Sequence, residues 1–380
     1  MDKSGILILE DGNIFKGDSI GENGYAIGEV VFNTSMTGYQ EIITDPSYSE
    51  QIITFTYPHI GNVGINTEDY ESEKIYIKGI IIRNLSLIAS NYKSKQNFDS
   101  YLKKNKIIAI TNIDTRKLTH ILRNKGSQNG YIQTYSKQQK INDNAYEKLK
   151  MYTKTRINDL AKQVSTKNIY TLIKTKNDII KINLIPSNIK KKYLHIVVYD
   201  FGVKKNIINM LLNRNCYLTI VPANTTFEKV IKLIPDGIFF SNGPGDPRIC
   251  NYAIRNIKKF FKINIPMFGI CLGHQLLALA NGANIIKMKF GHHGSNHPVK
   301  EIDTNRVMIT TQNHGFTIDH INLPKTIKIT HISLFDNSIQ GISWIDKPIF
   351  GFQGHPESSP GPHDTSYLFD NFIKSILTIK

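Results

Sequence analysis

From Tyr193 onward the chain repeats one pattern: an apolar run that ends in a glycine-bearing turn, then a segment with helical spacing. YLHIVVYDFG is continuous in apolar residues, as a strand covered on both faces must be, and NIINMLLNR and the strand YLTIV follow it. EKVIKLI then precedes DGIFFSNGPGD, and IRNIKKFF precedes IPMFGICLG. Strands that alternate with helices pair in parallel, because each crossover helix must pack back onto the sheet. The pattern therefore predicts a doubly wound α/β domain whose functional loops lie at the carboxyl ends of its strands.

The residues before Tyr193 read differently. GILILEDGNIFKG makes two short strands around Asp11-Gly12, where the glycine supplies the positive φ of a tight hairpin. EVVFNTSMTGYQEIITDPSYSEQIITFTYPHIGNVGIN mixes β-branched and aromatic residues with Gly, Pro, Asn and Asp at short intervals, as strands of a mixed sheet with used loops do. Helical spacing enters at Asp114 to Asn124, with Asp114 as its cap, and again at Asn144 to Gln163. The first part is thus α+β. We divide the chain into an α+β domain at 1–165, a basic linker at 166–192 and the α/β domain at 193–380, a count of domains that suits 380 residues.

Composition excludes several classes. At 40% apolar and 21% charged residues the chain is that of an ordinary globular protein, with no run approaching the roughly 18 apolar residues of a membrane span. The start MDKSGILILEDG lacks the look of a signal or transit peptide. Three cysteines without a CxxC pair argue against a disulfide framework and point to a reducing compartment. The formal charge of +16 raises a nucleic-acid reading. Much of the excess sits in 134–194, with 14 Lys or Arg against four acids, in a stretch dense in Lys, Asn, Ile and Tyr. A/T-rich coding and a solvated surface account for that better than nucleic-acid readout, and an acidic protein partner is the other reading.

Three motifs carry chemistry. In Gly269-Ile270-Cys271-Leu272-Gly273-His274-Gln275 a buried strand meets a helix through a cysteine with glycines two residues to either side. That is the form of a nucleophile elbow, whose small neighbours leave room for the turn, and a helix N-terminus beside the sulfur favours thiolate. The bland alternative is a buried structural cysteine. His355-Pro356-Glu357 follows the apolar IFGFQG. Proline keeps the preceding residue extended, so that histidine and glutamate can project to one side, the carboxylate orienting the ring. Ser241-Asn242-Gly243-Pro244-Gly245-Asp246-Pro247 is a rigid loop after GIFF, suited to aim backbone N–H groups at an oxyanion.

Together, GICLGHQ, HPE and NGPGDP resemble the class I (Cys-His-Glu) glutamine amidotransferase family, a flavodoxin-like doubly wound fold. FNTSMTGYQEIITDPSYSEQIITFTYPHIGN, IDTRKLTHILRNKGSQNGYI and YDFGVKKNI extend the likeness to the small chains of carbamoyl phosphate synthetases. Ser35 and Ser295 stand where many members have glycine. The resemblance implies Cys271 as nucleophile, His355 as base and Glu357 as its orienter, with the N–H groups of Leu272 and Gly243 as oxyanion hole. It implies Ser49, Gly245, Gln275, Asn313, Gly315 and Phe316 as further glutamine contacts.

It further implies a large-chain partner, in a heterodimer or a larger assembly of heterodimers, for arginine and pyrimidine synthesis. That partner would hold ATP and Mg, since no GxxxxGK[ST] loop occurs here. No cofactor is expected in this chain, and no metal, although His292, His293 and His297 crowd together. Membrane and nucleic acid are not expected as partners. The competing readings are another class I amidotransferase, such as an anthranilate synthase component, and a basic scaffold with a dead amidotransferase fold. The coding bias and the lack of a targeting segment are read as a plastid-stroma protein encoded in the organelle, with the bacterial cytoplasm as alternative.

Overall fold

The computed structural model describes residues 3–136, 144–155, 158–175, 178–182 and 192–379. They form two compact units: Met1–Asn158 with Lys289–Gly294, and Asp159–Met288 with Ser295–Lys380.

The first unit is built on a closed barrel. Its strands are β1 (Lys3–Leu9), β2 (Ile14–Gly21), β3 (Gly24–Asn33), β4 (Gln51–Phe55), β6 (Gly79–Ile81), β8 (Ile108–Thr111) and β9 (Gln128–Ser136), while β5 (His59–Ile60) and β7 (Asn84–Leu85) pair apart from it. The barrel order is β1-β2-β8-β6-β4-β3-β9. The expected hairpin is present, with Ile8 opposite Ile14 and Gly12 at φ 86°. The expected mixed sheet is present too, since β3·β4, β4·β6 and β6·β8 pair in parallel and the remaining barrel pairs are antiparallel. Asp114 caps the helix Thr115–Lys125 by accepting from Lys117 N–H at 2.9 Å.

The second unit carries an 11-stranded sheet. Its strands are β10 (Tyr170–Lys174), β11 (Ile179–Ile182), β12 (Leu194–Asp200), β13 (Cys216–Pro222), β14 (Gly237–Phe240), β15 (Met267–Ile270), β16 (Ile285–Glu301, apart from Lys289–Gly294), β17 (Val307–Ile318), β18 (Ile327–Ser333), β19 (Ile339–Trp344) and β20 (Ile349–Phe352). Their order is β11-β10-β13-β12-β14-β15-β20-β19-β18-β16-β17, and the run from β13 to β20 is parallel, as the alternation of strand and helix predicts. Both faces of that run are covered by apolar clusters, one around Tyr199, Phe240 and Leu276, the other around Phe239, Phe268 and Phe372. Burial on both faces is why these strands read as unbroken apolar runs.

Two expected boundaries differ. The described part of 166–192 is no linker. β10 and β11 add antiparallel strands to the sheet beyond β13, and Ile173 is buried while Lys174 is exposed. β11 is the edge strand, and its exposed Lys181 sets a charge beside the exposed Ile180. The rest of that segment, 176–177 and 183–191, lies outside the described residues. Asp159–Val164 belongs to the second unit, where Ala161 is buried in the core. Conversely, Lys289–Gly294 belongs to the first, where Thr34 N–H donates to the His293 carbonyl at 3.1 Å and Ser127 N–H to Lys289 at 2.9 Å. Ser35 and Ser295 both keep φ negative, so neither needs glycine's freedom.

Candidate active site

Four neighbouring parallel strands, β12, β14, β15 and β20, end at one edge of the second unit's sheet, and each is followed by residues of the site. After β15, Cys271 holds φ 52° and ψ −105°, and the helix Leu272–Ala280 begins at once. A β-carbon is strained there, and the strain is held by bonds on either side. Cys271 N–H donates to the Phe352 carbonyl at 2.9 Å and Gly273 N–H to Ser241 at 3.0 Å. Gly273 is required because a side-chain carbon would lie 2.1 Å from the Phe240 carbonyl oxygen. The elbow is thereby pressed onto β14, and the loop after that strand lies beside it: a carbon added to Gly243 would meet the Leu272 side chain at 2.9 Å. Leu272 opens the helix, so its N–H has no acceptor within the helix.

After β20 come His355 and Glu357, 1% and 0% exposed. His355 N–H is anchored on the Thr311 carbonyl at 2.9 Å, and its ring Nδ1 bonds Glu357 Oε1 at 2.6 Å. Nε2 is buried with no hydrogen-bond partner of ordinary length among the described residues, and the Cys271 sulfur is near enough to favour its protonation. Burial pulls this imidazole's pKa down. The Glu357 charge, the Cys271 sulfur and the Nδ1 bond outweigh it and push the pKa up to about 10, against an opposing pull from Lys204. For Glu357 burial works upward, but the charges of Lys204 and His355 hold it down to about 2. Burial pushes the thiols of Cys216 and Cys250 up to about 12, which leaves both inert at neutral pH.

Lys204, after β12, is a functional residue the sequence reading missed. Its side chain is 2% exposed, with Nζ 3.0 Å from Glu357 Oε1 and 2.6 Å from the Ser358 carbonyl oxygen. Its backbone N–H donates to Asn242 Oδ1 at 3.2 Å, which ties this loop to the one after β14, and Asn206 Nδ2 bonds the Glu357 carbonyl. In YDFGVKKNI two adjacent lysines look like a solvated surface. The usable signal was position, since they follow a buried strand at its carboxyl end.

The other expected residues divide by unit. Asn313, Gly315 and Phe316 lie on β17, where the Asn313 carbonyl accepts from Cys271 Sγ at 3.5 Å. Gln275, one turn into the elbow helix, donates from Nε2 to the Phe316 carbonyl at 2.9 Å and to Gln353 Oε1 at 3.0 Å. Gly245 takes φ 93° in the loop after β14. Ser49 belongs to the first unit, buried at the end of the 3-10 turn Pro46–Tyr48. Among the described residues no three or more His, Cys, Asp or Glu side chains are grouped to hold a metal ion, and no helix is long and apolar enough to cross a membrane.

The arrangement is a strained cysteine, a protonated histidine and a buried carboxylate, beside N–H groups in a glycine-bearing loop. Comparison with known proteins agrees with it. Residues 197–375 match the family model for glutamine amidotransferase class-I, and residues 7–132 match that for the carbamoyl-phosphate synthase small chain, CPSase domain. The chain is 63% identical to a carbamoyl phosphate synthase small chain of Buchnera aphidicola subsp. Acyrthosiphon pisum over 99% of its length and 96% of the relative's. It is 57% identical to one of Pectobacterium atrosepticum over 100% and 99%, and 56% identical to one of Escherichia coli K12 over 99% and 98%. The match at 7–132 separates the chain from other class I amidotransferases, the anthranilate synthase component included. These relatives are bacterial, which leaves the plastid reading without support.

Proposed function

The chain belongs to the carbamoyl phosphate synthase small chains, the glutamine-hydrolysing subunits of that enzyme, and on that premise we propose how its residues perform the hydrolysis. The Cys271 thiolate attacks the side-chain amide carbon of glutamine. The carbonyl electrons move onto oxygen, which the N–H groups of Leu272 and Gly243 receive. As the tetrahedral adduct collapses, the C–N bond breaks and the His355 imidazolium gives its proton to the departing nitrogen, releasing ammonia and leaving a thioester. Neutral His355 then takes a proton from water, which attacks the thioester to give glutamate and free Cys271. Glu357 and Lys204 do not touch substrate; they fix the ring and its charge. By the resemblance Gly245, Gln275, Asn313, Gly315 and Phe316 hold the glutamine, and the role of Ser49 rests on the same resemblance.

The single observation that carries this is the 2.6 Å bond between His355 and Glu357 with Nε2 left toward Cys271. The ammonia goes to a large chain, which holds ATP and Mg and makes carbamoyl phosphate for arginine and pyrimidine synthesis, in a bacterial cytoplasm. The test is Cys271→Ser in the two-chain complex. Synthesis from glutamine is expected to fall at least about 1,000-fold while synthesis from added ammonia stays near wild type. Substantial glutamine use in that variant would overturn the assignment.

A further inference from the structure

Gln353 lies between β20 and the His355 loop, is fully buried, and has no role in the hydrolysis as derived above. Its geometry, however, decides which atom Gln275 shows to the site. The Phe316 oxygen is a carbonyl and can only accept, and it receives Gln275 Nε2 at 2.9 Å. That contact fixes which end of the Gln275 amide is nitrogen. The second hydrogen of the same nitrogen must also find an acceptor, and Gln353 Oε1 takes it at 3.0 Å. Both N–H groups of Gln275 are thus spent inside the protein. Its Oε1, with no hydrogen bond among the described residues, is the polar atom left for a ligand.

The cost falls on Gln353. With its oxygen turned to Gln275, its Nε2 is buried with no hydrogen-bond partner among the described residues. A buried donor left unpaired costs about 1–3 kcal/mol. An apolar side chain of the same size would avoid that cost, so the amide is kept for what its oxygen does. Backbone contacts place that oxygen, because Gln353 N–H is held by the Gln340 carbonyl at 2.8 Å and His355 N–H, two residues on, by Thr311.

We propose that Gln353 is a positioning residue for glutamine recognition: by accepting the second N–H of Gln275 it makes Gln275 an acceptor toward the substrate, which selects the positively charged α-ammonium of glutamine. The inference rests on the reading of Gln275 as a glutamine contact. Without Gln353 the Gln275 amide keeps one internal bond and swings about it, so the acceptor is no longer fixed, whereas the Cys271–His355–Glu357 geometry has its own anchors. The effect therefore falls on KM and spares kcat.

The test is glutaminase activity of the two-chain complex, measured as glutamate release, for Gln353→Met, Gln275→Ala and the double variant. Gln353→Met is expected to raise KM for glutamine roughly 5- to 10-fold, the worth of about one hydrogen bond, with kcat within about twofold. In the Gln275→Ala background the same substitution is expected to raise KM no further. Gln353→Glu, whose carboxyl burial holds neutral, keeps an oxygen acceptor and is expected to hold KM within about threefold of wild type; should the methionine variant not fold, this comparison carries the test. An equal rise of KM in both backgrounds, a fall in kcat at unchanged KM, or a glutamate variant as impaired in KM as Gln275→Ala would overturn the proposal and leave Gln275 standing. An unchanged KM in Gln275→Ala would overturn the proposal together with the reading beneath it.

Discussion

Glu357→Gln separates the charge of Glu357 from its shape. The substitution keeps the size of the side chain and an acceptor oxygen 2.6 Å from His355 Nδ1, but removes the negative charge. What remains around the ring is burial, the largest influence, and Lys204, which both pull the imidazolium's pKa down, against the Cys271 sulfur, which holds it up. Without the carboxylate charge, the largest influence holding the proton, the ring falls from about 10 toward its ordinary value of 6.5. At the ordinary value the protonated fraction at pH 8 drops from nearly all to about 3%. Ammonia departs only with that proton, so kcat/KM for glutamine at pH 8 is expected to fall about 30-fold or more.

The pH profile shows the sign. His355 has a raised pKa, so its proton is held through neutral pH and lost as pH rises through about 10. The alkaline limb of glutamate release by the complex therefore lies near pH 10 in the wild type, and moves down toward 6.5 in Glu357→Gln. An alkaline limb that stays in place would refute the claim that the Glu357 charge sets the protonation of His355. Stability gives an independent readout. Glu357 has a depressed pKa, so its stabilisation is present above its ordinary 4.5 and is lost as pH falls toward about 2, whereas Glu357→Gln removes that pH dependence.

Lys204→Met leaves the Glu357 carboxylate buried without its cation and is expected to cost about 3–5 kcal/mol, read by denaturant unfolding. Because Lys204 opposes the His355 proton, its loss is expected to reduce glutamine hydrolysis less than Glu357→Gln does under the same conditions. Gly273→Ala sets a carbon 2.1 Å from the Phe240 carbonyl oxygen, a backbone atom that cannot step aside, and is expected to lower the melting temperature and abolish glutaminase activity together. A stable, active Gly273→Ala protein would show that the elbow does not depend on its seat against β14.

Legibility in the sequence followed the range of the interactions. Cys271 and its glycines lie within five residues, and His355 and Glu357 are two apart, so their geometry follows from local backbone rules. The parallel run β13 to β20 was legible because burial on both faces writes itself as unbroken apolar strands. Closure of the barrel was not, since β3·β4, β4·β6 and β6·β8 pair in parallel across long intervening segments that no local pattern registers. The place of Lys289–Gly294 was equally hidden, because its bonds to Thr34 and Ser127 join residues more than 150 apart. Lys204 and Gln353 were missed for one reason. Each belongs to a residue type common on surfaces, and only three-dimensional burial shows that it has a partner to hold.

These missed residues show why the site needs a sheet rather than a loop. Lys204, Glu357 and His355 stand in contact as cation, anion and cation, with the sulfur that bears charge in the attack beyond them. Such a row is stable only when complete, because each buried charge is compensated by its neighbours and removing one leaves another unpaired. No short peptide can supply it. Lys204 follows β12, Cys271 follows β15, and His355 with Glu357 follows β20, while the loop after β14 adds Asn242, which holds the Lys204 backbone. The strand order β12-β14-β15-β20 makes these four ends adjacent, so the hydrogen-bond register of the sheet sets their spacing. A disturbance of that register is therefore a disturbance of the His355 proton, which makes sheet packing at Gly273 and charge at Glu357 two routes to the same loss.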